Sequence, residues 1–311
     1  MEKPEGKEVS TNASASGNDT PAPVASAARP AVSSLAPQPC PTCGVAPATN
    51  GGVAATPSYV YAIGRIDPRF PRLSVEKELA QVTGQADAAG LTDRQALQRI
   101  LSERQNRYLA RQLCWALTVE GLETYLLYPR DFSDLDLLIE AVRATPSPLD
   151  LDVIIGTRGS IASPELCNGL IVPIVVFDQI YSFDREALIK GIPRPEKVPA
   201  EKFTATAEEL FDRIMQLTDN AGSTDEHRAL NYLAVRYPAI YANAAEAFGR
   251  NESLTAVETR FSPLSGTRKV VDVIFAYTNR NTDVTGKFFV RVDVTEEFPF
   301  LVTKMSPYYD R

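Results

Sequence analysis

Apolar positions along this chain follow two periods, alternating in some stretches and recurring every three to four residues in others. Residues 111–128 hold two largely apolar, β-prone runs on either side of Glu120-Gly121. Such runs around a glycine turn predict a hairpin, because glycine supplies the positive φ that tight hairpin turns need. Both runs are apolar enough to place the hairpin in the core of a sheet. Residues 59–66 read as a first strand, ended by Asp67-Pro68 and Phe70-Pro71. A further strand starts at Leu151, and residues 170–177 form a nearly continuous apolar strand behind the Asn168-Gly169 turn. Pro173 inside that strand requires an edge position or a bulge. Near the end, Val271, Val273, Phe275 and Tyr277 alternate on one face, and Phe288, Val290, Val292 and Val294 repeat the pattern. With residues 254–261 ahead of them they predict a three-stranded antiparallel meander.

The helical period appears between these strands. Ser74 caps a short helix reaching Gln81. Thr92 with Gln95 is a capping-box pattern, and Leu97, Ile100, Leu101, Tyr108 and Leu109 carry helical spacing through Arg111. Ser133 with Asp136 predicts a helix through Val142, and residues 184–190 a short one ended by Gly191 and Pro193. Thr206 with Glu209 opens a helix bearing Leu210, Phe211, Ile214 and Leu217; Ser223 with Glu226 opens another, which Pro238 kinks or breaks. No repeat at solenoid periods is visible. The prediction is an α+β protein with mixed or antiparallel sheets and packed helices, in two subdomains, 39–195 and 203–311, joined by a Pro-rich linker. Residues 1–38 are Ala, Pro, Ser and Gly with few large apolar side chains, and are expected to be a disordered tail.

Composition narrows the function. At 44% hydrophobic and 23% charged residues the chain has the composition of a soluble globular protein. A net charge of −7 argues against nonspecific binding to nucleic acid or anionic membranes. No apolar run reaches the roughly 20 residues of a spanning helix, and the start has no secretory apolar region. A cytoplasmic location is therefore expected.

Several long stretches together resemble one family. They are the hairpin of residues 111–128, residues 59–71 with Val75-Glu-Lys-Glu, residues 167–183, residues 225–238 and the tail from Phe298 to Arg311. The chain from about Tyr59 onward is similar to the domain of unknown function at the C-termini of the PatA and PatG cyanobactin maturation proteases. That resemblance implies a role beside ribosomally made, post-translationally modified peptides. The 311 residues include no subtilisin-type protease domain, so what carries over is an accessory role rather than cleavage or macrocyclisation.

The residues themselves disfavour common nucleophilic catalysis. A Ser-His-Asp or Cys-His arrangement needs a histidine beside the nucleophile, and the single histidine, His227, lies at a predicted helix start with no Gly-x-Ser-x-Gly motif in the chain. There His227 reads as a solvated or locally paired residue, with a pocket shared with Asp225 and Arg228 as the functional alternative. Gly64-Arg65 and residues 156–159 lack a phosphate-binding fingerprint and read as turns. Four cysteines, with Cys40 and Cys43 in a CxxC spacing, make a complete tetrahedral thiolate set with Cys114 and Cys167. They predict a structural zinc site, against the plain reading of buried apolar thiols. Arg65, Arg69, Phe70 and Arg72 around a Pro-rich turn are candidate contacts for a peptide, against a solvated, salt-bridged loop. The expected function is a noncatalytic accessory domain binding a precursor peptide or a peptide-modifying enzyme. The alternatives are an enzyme acting on modified peptides, or a homodimerisation module.

Overall fold

In a computed structural model the chain is described for residues 57–85, 91–196, 198–217 and 219–309. The expected tail, Cys40 and Cys43 lie outside the described residues. Residues 55–311 group as one compact unit.

Five strands close into a barrel: β1 (Tyr59–Arg69), β2 (Cys114–Val119), β3 (Leu122–Pro129), β4 (Asp150–Ile161) and β5 (Pro173–Asp184), in the order β1-β2-β3-β5-β4. The first half of β1 pairs with β4 and its second half with β2, the changeover falling between Gly64 and Arg65. Strands β3 and β5 run parallel; the other pairings are antiparallel. Helices α1 (Leu73–Gln85), α2 (Asp93–Ser102) and α3 (Arg107–Gln112) fill the β1–β2 connection, and α4 (Leu135–Ala141) the β3–β4 connection. Strand order, the parallel β3–β5 pair and the position of α4 are those of a five-stranded Greek-key barrel of the OB type.

The predicted hairpin is β2–β3. Its turn places Glu120 at φ 48° and Gly121 at φ 85°, the left-handed pair that a two-residue hairpin turn requires. The capping box at Thr92 forms with both of its hydrogen bonds. The helix it opens stops at Ser102 rather than running to Arg111, because Glu103 turns extended and a short 3₁₀ segment, Arg104–Asn106, intervenes. Residues 156–159 are strand, not turn. Gly156 is required there because a Cβ would lie 2.4 Å from the Val176 carbonyl oxygen of β5. Pro173 opens β5, where a missing N–H does no damage to the ladder.

Beyond α5 (Arg185–Gly191), helices α6 (Ala200–Met215), α7 (Asp225–Arg236) and α8 (Ala239–Gly249) cover one face of an antiparallel sheet. Its strands are β6 (Glu252–Phe261), β7 (Val270–Asn279), β8 (Thr285–Asp293) and β9 (Phe300–Tyr308). The predicted meander is its first three strands; the terminal stretch adds the fourth. Thr206 sits inside α6, its hydroxyl donating to the Lys202 carbonyl, so it does not cap that helix. Thr224, not Ser223, caps α7, accepting from the His227 amide.

Barrel and helix-backed sheet share one core across the expected linker. Tyr61, Ile63, Val153 and Ile155, from one face of β1 and β4, pack with Leu210, Phe211, Leu233, Val273 and Phe275. Val60, Ala62 and Ile154, on the other face, pack with α2–α4 inside the barrel half. Strands buried on both faces read as continuous apolar runs, which is why residues 59–66 show no alternation.

Three buried polar side chains tie the elements around this core together. Asp152 accepts from the Ile66 amide at 2.9 Å, the Ser182 hydroxyl at 2.6 Å and Arg143 at 3.1 Å, tying β4 to β1 and β5. Asn231 on α7 donates to the Tyr61 carbonyl at 2.8 Å and exchanges hydrogen bonds with Asn220. Arg228, one turn earlier, is buried and donates to the carbonyls of Val294, Glu296 and Glu297, holding the β8–β9 turn against α7.

Candidate functional site

Three of the four predicted peptide-contact residues come together. Pro68 and Arg69 at the end of β1, Phe70 and Arg72 in the Pro-broken connection, and Leu73 and Glu76 on the first turn of α1 line a cleft of about 500 Å³. Asn168 of the β4–β5 loop completes the wall. Phe70-Pro71 ends the strand and frees the chain to reverse into α1. Arg69 is ion-paired with Glu123 of β3. Arg72 and Glu76 are exposed, with no ion pair or side-chain hydrogen bond to any described residue. Among the described residues the cleft therefore offers one unpartnered guanidinium, one unpartnered carboxylate and the apolar surfaces of Phe70 and exposed Leu73. Arg65, the fourth predicted residue, is not part of it. It lines a separate pocket between the barrel and α6.

Asn168 is held at the cleft by its neighbour. Cys167 is joined to Cys114 by a disulfide, with Cα atoms 6.0 Å apart, and Cys114 is the cross-strand partner of Arg69. One covalent bond thus ties the β4–β5 loop to the barrel beside the cleft. Asn168 at φ 45° and Gly169 at φ 86° then turn the loop back toward β5. The sequence signals that turn, but not that it would face α1.

The C-terminal half of the unit also has a recognisable sequence. Residues 197–308 match the family described as PatG C-terminal. The fold is similar to a solved structure described as "PatG Domain of Unknown Function", with a TM-score of 0.66 and 20% identity. That likeness covers 81% of this chain and 98% of that one, so the barrel and the helix-backed sheet together make up the PatG-domain fold. No curated protein matches the chain.

Against this PatG-type background the remaining candidates sort out. The core thiols Cys114 and Cys167 are consumed by their mutual bond, so a four-thiolate zinc site needs that bond reduced. Among the described residues, no group of three or more His, Cys, Asp or Glu side chains is placed to hold a metal ion. His227 is half-buried, and burial pulls its pKa down. Its neighbour Arg228 is turned into the core, where its Nη1 lies 3.3 Å from Asp225.

A polar cluster with no local sequence signal lies where β3, β5 and the β8–β9 turn meet. Arg130 donates to Asp178 at 2.5 and 2.6 Å and to the Thr157 hydroxyl at 3.0 Å, and lies 3.7 Å from Glu297. Burial and the hydrogen bond with Asp178 push the Glu297 carboxyl up to about 7. The Arg130 guanidinium holds Asp178 below the usual carboxylate range. The carboxyls are separated by 119 residues in sequence, 178 against 297, so no local spacing announces them. No helix among the described residues is long and apolar enough to cross a membrane.

Proposed function

We propose that the cleft formed by Arg69, Phe70, Arg72, Leu73, Glu76 and Asn168 binds an extended segment of a precursor peptide, making this chain an accessory factor in ribosomal peptide maturation. The carrying observation is the gathering of these residues between the β1–β2 connection and the β4–β5 loop. Barrels of this strand order take their ligands between those two connections. That is an argument by fold, and the residues supply the chemistry. Arg72 donates to peptide carbonyls or carboxylates, Glu76 accepts from peptide amides or a basic side chain, and Phe70 with Leu73 receives an apolar residue. Arginine and aromatic side chains are the groups that dominate peptide interfaces. The net charge of −7 favours a peptide over the oligonucleotides that many such barrels bind.

The test is a fluorescence-anisotropy titration of the chain against a labelled synthetic precursor peptide carrying leader and core. Phe70→Ala and Arg72→Ala should each weaken binding about tenfold, or about 1.4 kcal/mol. Leu264→Ala, in the exposed turn between β6 and β7, serves as control. Saturable binding that neither cleft variant alters would overturn the assignment.

A further inference from the structure

The pocket that takes in Arg65 is separate from the cleft and has a different character. It has a volume of about 440 Å³, within the range of small-molecule sites. Its floor is apolar: Ile63 of β1, Leu151 of β4, and Phe211 and Met215 of α6. Arg65 and Arg185 line it as well. Arg65 has no hydrogen bond or ion pair to any described side chain. Arg185 donates from Nη1 to Asp212 at 2.6 Å, yet its Nε is buried and has no partner. A buried guanidinium N–H without an acceptor is uncommon, because its desolvation goes uncompensated.

The carboxylates lining the pocket do not cancel these donors. Asp212 is engaged by Arg185, and Asp67 by Arg94 at 2.8 Å. Glu120 remains, on the hairpin turn, without a partner among the described residues. Among the described residues the pocket therefore combines an apolar lining, one cation and one anion without partners, and one orphaned donor.

We infer that this pocket binds an apolar residue bearing a free α-carboxylate, with Arg65 and the Arg185 Nε–H donating to the carboxylate and the side chain lying on Phe211 and Met215. Two sources share that chemistry, a free apolar amino acid and the C-terminus of a peptide. Glu120 separates them, since only the free amino acid brings an ammonium group for it to accept from.

Isothermal titration of the full chain with leucine, N-acetylleucine and leucinamide tests this. Leucine or N-acetylleucine should bind at least about tenfold more tightly than leucinamide, and Arg65→Gln should remove about tenfold of that affinity. Equal binding of leucine and N-acetylleucine identifies a peptide C-terminus as the occupant. Tighter binding of leucine, lost in Glu120→Gln, identifies a free amino acid. Met215→Trp, which fills the pocket, should abolish binding by either, while Arg72→Ala in the cleft should leave it unchanged. Failure at the cleft and failure at this pocket are thus read separately. No heat with leucine or N-acetylleucine at millimolar concentration, or binding indifferent to Arg65→Gln and Met215→Trp, overturns the inference.

Discussion

Replacing Arg228 with alanine should cost the folded chain about 3–5 kcal/mol, the range for breaking a buried, hydrogen-bonded charge site. The guanidinium is 2% exposed, with Asp225 3.3 Å from Nη1. It donates to the Val294 carbonyl at 2.7 Å, to that of Glu296, and to that of Glu297 at 3.2 Å. Hydrogen bonds to a charged donor contribute about 1.5–3 kcal/mol each. Burial works in the opposite direction, pulling the Arg228 pKa down against the pull of Asp225, so the gross sum overstates the net. What truncation leaves behind is three carbonyls of one turn without their donor, each costing about 1–3 kcal/mol where water cannot reach. The Glu296 and Glu297 end of the turn is open enough to rehydrate, which sets the range below the full sum. At about 2–4 °C per kcal/mol for a domain of this size, the melting temperature should fall by about 6–20 °C. Urea unfolding followed by tryptophan fluorescence, together with a thermal scan, measures both quantities. Asp225→Asn, which weakens that 3.3 Å contact and the 3.1 Å ion pair with Lys269, should cost about 1 kcal/mol. A loss below about 1 kcal/mol in Arg228→Ala would refute the view that this side chain fastens the β8–β9 turn to α7.

Other consequences are checked with similar means. Glu297 has a folded pKa raised from 4.5 to about 7, so between those values the folded chain holds a proton that the unfolded chain releases. Stability should therefore fall as pH rises from 4.5 to about 7, and urea midpoints of Glu297→Gln should lose that slope. Asp178, held low by Arg130, contributes in the opposite sense: its part is present above its unfolded pKa and is lost as pH falls through its folded one. Gly222 sits at φ 70° with a Cβ position 2.3 Å from the Tyr61 carbonyl oxygen. Gly222→Ala should destabilise by about 3 kcal/mol or more in urea, or prevent folding altogether. Reduction of the Cys114–Cys167 bond should speed limited proteolysis within residues 163–172 while leaving the far-UV circular dichroism unchanged. Equal cleavage rates with and without reductant would show that the loop is held by its apolar contacts alone.

The local elements were largely legible in the sequence, because short-range chemistry decides them. Glu120-Gly121 could only be a tight turn between two apolar runs, and the reciprocal hydroxyl and amide groups of Thr92 and Gln95 could be seen to start a helix. Alternation from Val271 to Tyr277 follows from one buried sheet face. Misreadings arose where tertiary contact outweighs a local signal. Gly156 resembles a turn residue, yet serves a close approach to β5 that no neighbour in sequence reveals. Thr206 has capping chemistry but spends its hydroxyl on Lys202 within a helix that begins at Ala200.

Closure of the five strands into a barrel belonged to the tertiary structure alone. It depends on β1 pairing along its two halves with strands about 50 and 90 residues away in sequence, and strand partners at such separations leave no mark in local periodicity. The candidate sites follow the same division. The sequence by itself marked Arg65, Arg69, Phe70 and Arg72 as one polar and aromatic group and the cysteines as one set. Only the fold sent Arg65 to a separate pocket, joined Cys114 to Cys167 and brought Asn168 to the cleft. Residue type determines what a side chain is able to bind; which side chains meet is settled by long-range strand pairing and shared core packing.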